Sequence, residues 1–269
     1  MSKASFLANK AKQYRRQLFE KFLSLNEGHP GSIFSMMDIL VTLYHCNYLK
    51  FDKKAKKFKN SLLISKGHAT SASYPILREF GIISKKDWKN WGTKKKSNLR
   101  IFGNNDIPGI DVTSGSLGHG VGVGVGLAYS NRLDKKKNEV YVIISEGELY
   151  EGSTWEALLF ASNYNLSNLN IIIDINTLII LGSTEQCMKL NSIKEKIKSF
   201  NFDVSNCDGH NFKSIIKSLN KKKSNLKPKC ILAKTIKGKG LSLMEGKARW
   251  HYWNHLSDKD IKKCLGELQ

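Results

Sequence analysis

The stretch from residue 140 to residue 176 limits what this chain can fold into more than any other. An apolar run, Val140-Tyr141-Val142-Ile143-Ile144, stops at an acidic loop, Ser145-Glu146-Gly147-Glu148-Leu149-Tyr150-Glu151-Gly152. A helical pattern over 153–163 follows, and a second apolar run, Leu169-Asn170-Ile171-Ile172-Ile173, delivers Asp174-Ile175-Asn176. Strand, loop, helix, strand and loop in this order make a βαβ unit, whose right-handed crossover brings both loops to one edge of a parallel sheet. Open α/β sheets bind ligands at that edge. A carboxylate from the first loop and an amide from the second, beside a helix N-terminus, suit a hard cation that holds a diphosphate.

The remainder repeats the alternation. Strands are expected at 61–64, 202–204 and 229–233. Helices are expected at 4–25, from a Ser35 cap to Tyr44, at 121–133, 191–199 and 212–219, and in a last segment ending near Cys264. Residues 84–106 read as a polar surface excursion. The alternation predicts an α/β fold, a parallel sheet with helices on both faces. A chain of 269 residues, 41% of them hydrophobic, suits one large domain over 1–269. No apolar stretch approaches the roughly 18 residues of a membrane span, and the N-terminus has no signal-peptide apolar region. Five cysteines without CxxC spacing indicate neither a disulfide framework nor a zinc site. The expectation is a soluble cytoplasmic protein.

The formal charge of +21 raises nucleic acid as a partner. The lysines, however, form short runs at 53–57, 94–96, 135–137 and 221–223, without interleaved aromatics or a recognition motif. A chain rich in Lys, Asn and Ile with only 4 Pro is what an AT-biased genome encodes, so nucleic acid is disfavoured.

Five blocks carry a resemblance. Gly28-His29-Pro30-Gly31, Ser65-Lys66-Gly67-His68, Gly115-Ser116-Leu117-Gly118-His119-Gly120, the segment from Glu148 to Ala157, and Lys234-Thr235-Ile236-Lys237-Gly238-Lys239-Gly240 stand in the order found in transketolases. The acidic loop and Asn176 resemble the thiamine diphosphate motif, with Ser145-Glu146-Gly147 in place of Gly-Asp-Gly. The chain most resembles the separately encoded N-terminal subunit of the split bacterial type. The resemblance implies transfer of a two-carbon ketol unit between sugars or sugar phosphates on thiamine diphosphate. It implies that Glu146, Asn176 and the backbone carbonyl of Leu178 hold magnesium or another divalent cation. Gly147 lets the backbone approach the diphosphate, and Gly115 and Leu117 contact the cofactor's rings. Glu148 is assigned to the cofactor as well. His68 and His251 touch the diphosphate or flank the reacting carbon, His29 lies near the donor sugar's hydroxyls, and Glu151 is an interface carboxylate that links paired sites by proton transfer.

Other readings stand beside these. His29 and His68 could cap turns. Gly122, Gly124 and Gly126 read as close helix packing, Asp208-Gly209-His210 as a strand-end turn, His45 as core or interface, and Trp155 and Glu156 as helix anchors. The sequence also departs from the pattern: Glu146 adds a methylene to the metal ligand, a histidine is missing near Phe102-Gly103, and Ile179 and Leu181 make one wall apolar. Two explanations compete: an altered, less phosphorylated or deoxygenated sugar, and a degenerate, non-catalytic subunit. Only 29 residues follow Gly240 in a chain of 269. A partner subunit carrying the pyrimidine-binding domain and its activating glutamate is therefore expected, in a heterotetramer with two copies of each. Dehydrogenase E1 α chains share the cofactor motif but lack the first two blocks.

Overall fold

The apolar runs form five strands: β1 (Ser61–Ile64), β2 (Val140–Ser145), β3 (Leu169–Ile175), β4 (Asp203–Asp208) and β5 (Lys229–Lys234). In this computed structural model, which describes residues 1–93, 97–221 and 226–269, they make one sheet in the order β1-β2-β3-β5-β4. The lysines at 94–96, 222 and 223 noted above lie outside the described residues. Every pairing is parallel. The register sets Ser145 beside Asp174 and Asp174 beside Ala233, so the carboxyl ends of the central strands lie level.

Successive side chains of a strand point to opposite faces, and here both faces are covered. Tyr141, Ile143, Ile172 and Ile231 pack against α1 (Lys3–Leu25), α3 (Met37–His45) and α7 (Phe212–Asn220). Val140, Val142, Ile171, Ile173 and Leu232 pack against α4 (His119–Leu133), α5 (Gly152–Asn163) and α6 (Ile193–Ser199). In α1, Leu7, Ala11, Tyr14, Leu18 and Phe22 recur at helical spacing and are all buried. Each fully buried Leu or Phe stabilises by roughly 1.5–3 kcal/mol. Ser2, Ser192 and Asn211 cap α1, α6 and α7, and Ser257 caps α8 (Asp258–Glu267). Among the described residues no helix is long and apolar enough to cross a membrane.

Four expectations change. Ser35 caps nothing: α2 (Pro30–Ser35) starts with Pro30 in its first turn, where a missing N–H costs little, and the Ser35 hydroxyl turns inward to Asp174. Residues 84–106 are no mere surface excursion. Ser84 caps a helix over Lys85–Asn90, and Trp91, Leu99 and Ile101 enter the core. A few large apolar side chains in a polar segment anchor it. Edge strand β4 runs to Asp208, because a strand paired on one side tolerates Ser205 and Asn206. Of the three glycines in α4, only Gly124 reflects packing inside the chain. A Cβ there would meet Val142 at 2.3 Å, whereas at Gly122 or Gly126 it would meet nothing within 4 Å.

Candidate active site

A cleft of about 650 Å³ opens at the carboxyl ends of β1, β2 and β3. One wall is the turn after β2 with the loop after β3. Ser145 is extended (φ −88°, ψ 159°), so the turn needs no glycine there. Its N–H and hydroxyl donate to Glu148 Oε2 at 2.8 and 3.2 Å. Glu148 Oε1 accepts from the N–H of Gly118 at 3.1 Å and from the Ser65 hydroxyl. Gly118 has φ +80°, a conformation suited to glycine, which starts α4 over this carboxylate. Glu148 is completely buried and does not line the cleft. Its assignment to the cofactor is therefore corrected: it ties β1, β2 and α4 together beneath the site.

Two residues earlier, Glu146 does face the cleft. One carboxylate oxygen accepts from the N–H of Thr177 at 2.9 Å and the other from the Thr184 hydroxyl at 3.0 Å. Burial pushes its carboxyl above the ordinary range. Gly147, Asn176 and Leu178 line the same wall, and Asn176 Oδ1 accepts from the N–H of Leu178 at 3.2 Å.

The floor is basic. Lys66, buried after β1, donates to the carbonyl of Ser32 at 2.9 Å and pairs with Asp174. Asp174 also accepts from Ser35 at 2.6 Å and from the Thr235 hydroxyl. Burial opposes its ionisation, but the Lys66 ammonium and the two hydroxyls outweigh that and hold its carboxyl below the usual range. Lys237 is also buried, 2% exposed, and its Nζ lies 3.3 Å from His251 Nδ1. Burial and the nearby Lys66 charge bring the Lys237 ammonium down to about 8.

Three histidines sit over this floor. The ring centres of His29 and His68 are 5.1 Å apart, His68 and His251 5.1 Å, and His29 and His251 5.6 Å. Burial, then the charge of Lys237, pushes His29 down to about 4 and His251 down to about 3. Burial, then His29, sends His68 well below its ordinary value. All three are therefore neutral near pH 7. His29 Nδ1 and His68 Nε2 are buried without a hydrogen-bond partner, an arrangement that costs about 1–3 kcal/mol per group unless a ligand satisfies it.

At the mouth, the rings of Phe102 and Tyr252 lie 5.8 and 5.1 Å from His29. Ile179 and Ile180 line the far side, and Gly115, Leu117 and Glu151 complete the rim. The cleft thus gathers His29, His68, Gly115, Leu117, Glu146, Gly147, Glu151, Asn176, Leu178 and His251, and leaves out only Glu148 of the residues singled out in the sequence. It adds Lys66, Lys237 and Tyr252. Both lysines stand inside blocks quoted above, but a lysine in sequence reads as solvated, and only the fold shows these two buried.

A family model described as "Transketolase, thiamine diphosphate binding domain" matches residues 8–268. The chain belongs to that family. Among curated transketolase relatives, one of the two chains of an apulose-4-phosphate transketolase from Phocaeicola vulgatus is 37% identical over 88% of this chain and 85% of the relative. Its namesake from Actinobacillus succinogenes is 35% identical over 98% and 96%. A 6-deoxy-6-sulfo-D-fructose transketolase subunit from a Clostridium species is 34% identical over 98% and 96%. Among solved transketolases, that of Campylobacter jejuni superposes with a TM-score of 0.89 at 28% identity, covering 99% of this chain. The transketolase-family chain spans 43% of that structure's length.

Proposed function

We propose that this chain is the N-terminal, thiamine-diphosphate-binding subunit of a two-chain transketolase-type enzyme. The observation that carries the reading is one cleft with an oxygen-donor wall facing a floor of neutral histidines and an uncompensated lysine. The donor set fits a magnesium-like cation. Glu146, Asn176 and the Leu178 carbonyl offer oxygens only, as such an ion prefers. Each Glu146 oxygen accepts one protein hydrogen bond and keeps a lone pair. Among the described residues no three His, Cys, Asp or Glu side chains cluster, so the cation would depend on one carboxylate and neutral oxygens.

Gly147 leaves its backbone open to the diphosphate, while His68 and Lys237 donate toward its oxygens. Gly115 and Leu117 flank the rings. When bound, thiamine diphosphate supplies the carbanion chemistry, and the protein supplies orientation and electrostatics. His29 and His251, neutral and close together, exchange protons or hydrogen bonds with the sugar hydroxyls at the reacting end. Glu151, on the rim, faces the partner chain, which supplies the pyrimidine-binding domain in a heterotetramer.

The apolar mouth and the relatives named for apulose 4-phosphate and a sulfonated sugar support a specialised sugar or sugar-phosphate substrate. Five free cysteines suit the reducing cytoplasm. The test is reconstitution: the chain co-purified with its partner should move a two-carbon unit from a ketose donor to an aldose acceptor, dependent on thiamine diphosphate and magnesium. Turnover by this chain alone would contradict the two-chain reading. Inactivity of a complex that still binds cofactor would favour a non-catalytic subunit.

A further inference from the structure

The turn Asp208-Gly209-His210 ends edge strand β4 outside the lining of the cleft, yet it connects to the cleft floor. His210 Nδ1 lies 2.7 Å from Asp38 Oδ2, and Asp38 is gripped by Arg15 through bonds of 3.0 and 2.7 Å. On the other side of the ring, the backbone N–H of Ile236 donates to His210 Nε2 at 2.8 Å. A backbone N–H can only donate, so Nε2 must carry the lone pair and the proton must sit on Nδ1, where Asp38 accepts it. Only the neutral Nδ1–H form makes both bonds.

Ile236 immediately precedes Lys237. The segment is pinned on each side: Thr235 N–H donates to the Ile175 carbonyl at 2.8 Å and Gly238 N–H to the Gly31 carbonyl at 2.9 Å. Gly238 has φ +74° with the Met244 carbonyl 2.7 Å from where a Cβ would stand, so the backbone here has one path. Among the described residues the Lys237 ammonium has a contact with His251 and no carboxylate to hold it. Its place therefore depends on the backbone. We infer that His210, as its neutral Nδ1–H tautomer, is a positioning residue that sets the Ile236–Lys237 backbone and so aims the Lys237 ammonium into the cleft.

The inference rests on the reading of the cleft as an anion site, but its structural half can be judged apart from that reading. The charged groups facing His210 are Asp38 with Arg15 behind it, Asp208 through the His210 N–H, and Glu245, itself paired with Lys239. Protonation of His210 keeps the Asp38 contact but sets Nε2–H against Ile236 N–H and breaks that bond. His210→Leu removes both contacts. In His210→Gln the amide can donate to Asp38 and accept from Ile236, and it does not titrate.

The experiment uses the full chain, with inorganic pyrophosphate as the probe. In His210→Leu, pyrophosphate binding by calorimetry should weaken about tenfold and hydrogen exchange at the Ile236 amide should accelerate by a similar factor. His210→Gln should restore both. On acidification the wild type should lose Ile236 protection relative to the Gln variant. The ¹⁵N spectrum of wild-type His210 at neutral pH should show Nδ1 protonated. A proton on Nε2, unchanged Ile236 exchange in the Leu variant, or a folded Gln variant that fails to recover would overturn the inference. If the wild type bound no pyrophosphate, the anion-site reading would fail, while the ¹⁵N and exchange results would still decide the role of His210 in holding the backbone.

Discussion

The base of the cleft and its surface use the same kinds of side chain in opposite ways. Beneath the site, Glu148 accepts from Ser65, Gly118 and Ser145, and Asp174 accepts from Lys66, Ser35 and Thr235. These carboxylates have little capacity left and hold strands and helices together. At the surface, Glu146 keeps lone pairs toward the cleft, His29 and His68 carry unpartnered nitrogens, and Lys237 has no carboxylate. The difference separates scaffold from site: Glu146 and Glu148 are two residues apart, as are Thr235 and Lys237, yet one member of each pair is bound into the fold and the other is held ready for a ligand.

The hardest blow to this division comes from the base. Asp174→Ala leaves Lys66 buried without its partner and should cost about 3–5 kcal/mol of stability, read from urea unfolding. A loss below about 1 kcal/mol would mean that the pair is not structural. At the surface, Lys237→Met should weaken thiamine diphosphate binding by about 1.5–3 kcal/mol, the worth of a hydrogen bond to a charged group. Its melting temperature should hold or rise, because an uncompensated buried charge is gone. A lowered melting temperature with unchanged affinity would place Lys237 with the scaffold.

A pH series sharpens the same point. Because the free Lys237 ammonium is depressed to about 8, a bound diphosphate should hold the proton on it to higher pH. Affinity should therefore be full below about pH 8 and fall as pH rises above it, and Lys237→Arg should flatten that decline. Glu148→Gln should lower stability by about 1–3 kcal/mol without altering the magnesium requirement. The smallest effect is expected at Glu146→Asp, a few-fold tightening of magnesium-dependent cofactor binding. Weaker binding there would show that Thr177 and Thr184 have fitted the loop to the longer side chain.

The βαβ unit was legible because β-branched runs end sharply in Ser145-Glu146 and Asn176, and the sheet's period fixes which edge those loops share. Helix breaks were harder to read: Pro30 starts α2 rather than merely ending what precedes it, and nothing at Met36 announces the junction with α3. Trp91, Leu99 and Ile101 are too sparse to betray a buried segment. Within the site, residue types revealed Glu146, Asn176 and the histidines, but not which of two neighbouring glutamates points outward. That depends on Ser145, whose extended backbone and hydroxyl draw Glu148 inward. The buried lysines were hidden for a related reason, since their burial follows from Asp174 and the packing of α2 against the sheet edge.

The most direct test of the central claim is calorimetric titration of thiamine diphosphate into the chain bound to its partner, with and without magnesium, for the wild type and Glu146→Ala. The account predicts saturable binding that needs the cation in the wild type and is lost in the variant. Equal affinity with and without magnesium, or undiminished binding by Glu146→Ala, would contradict it.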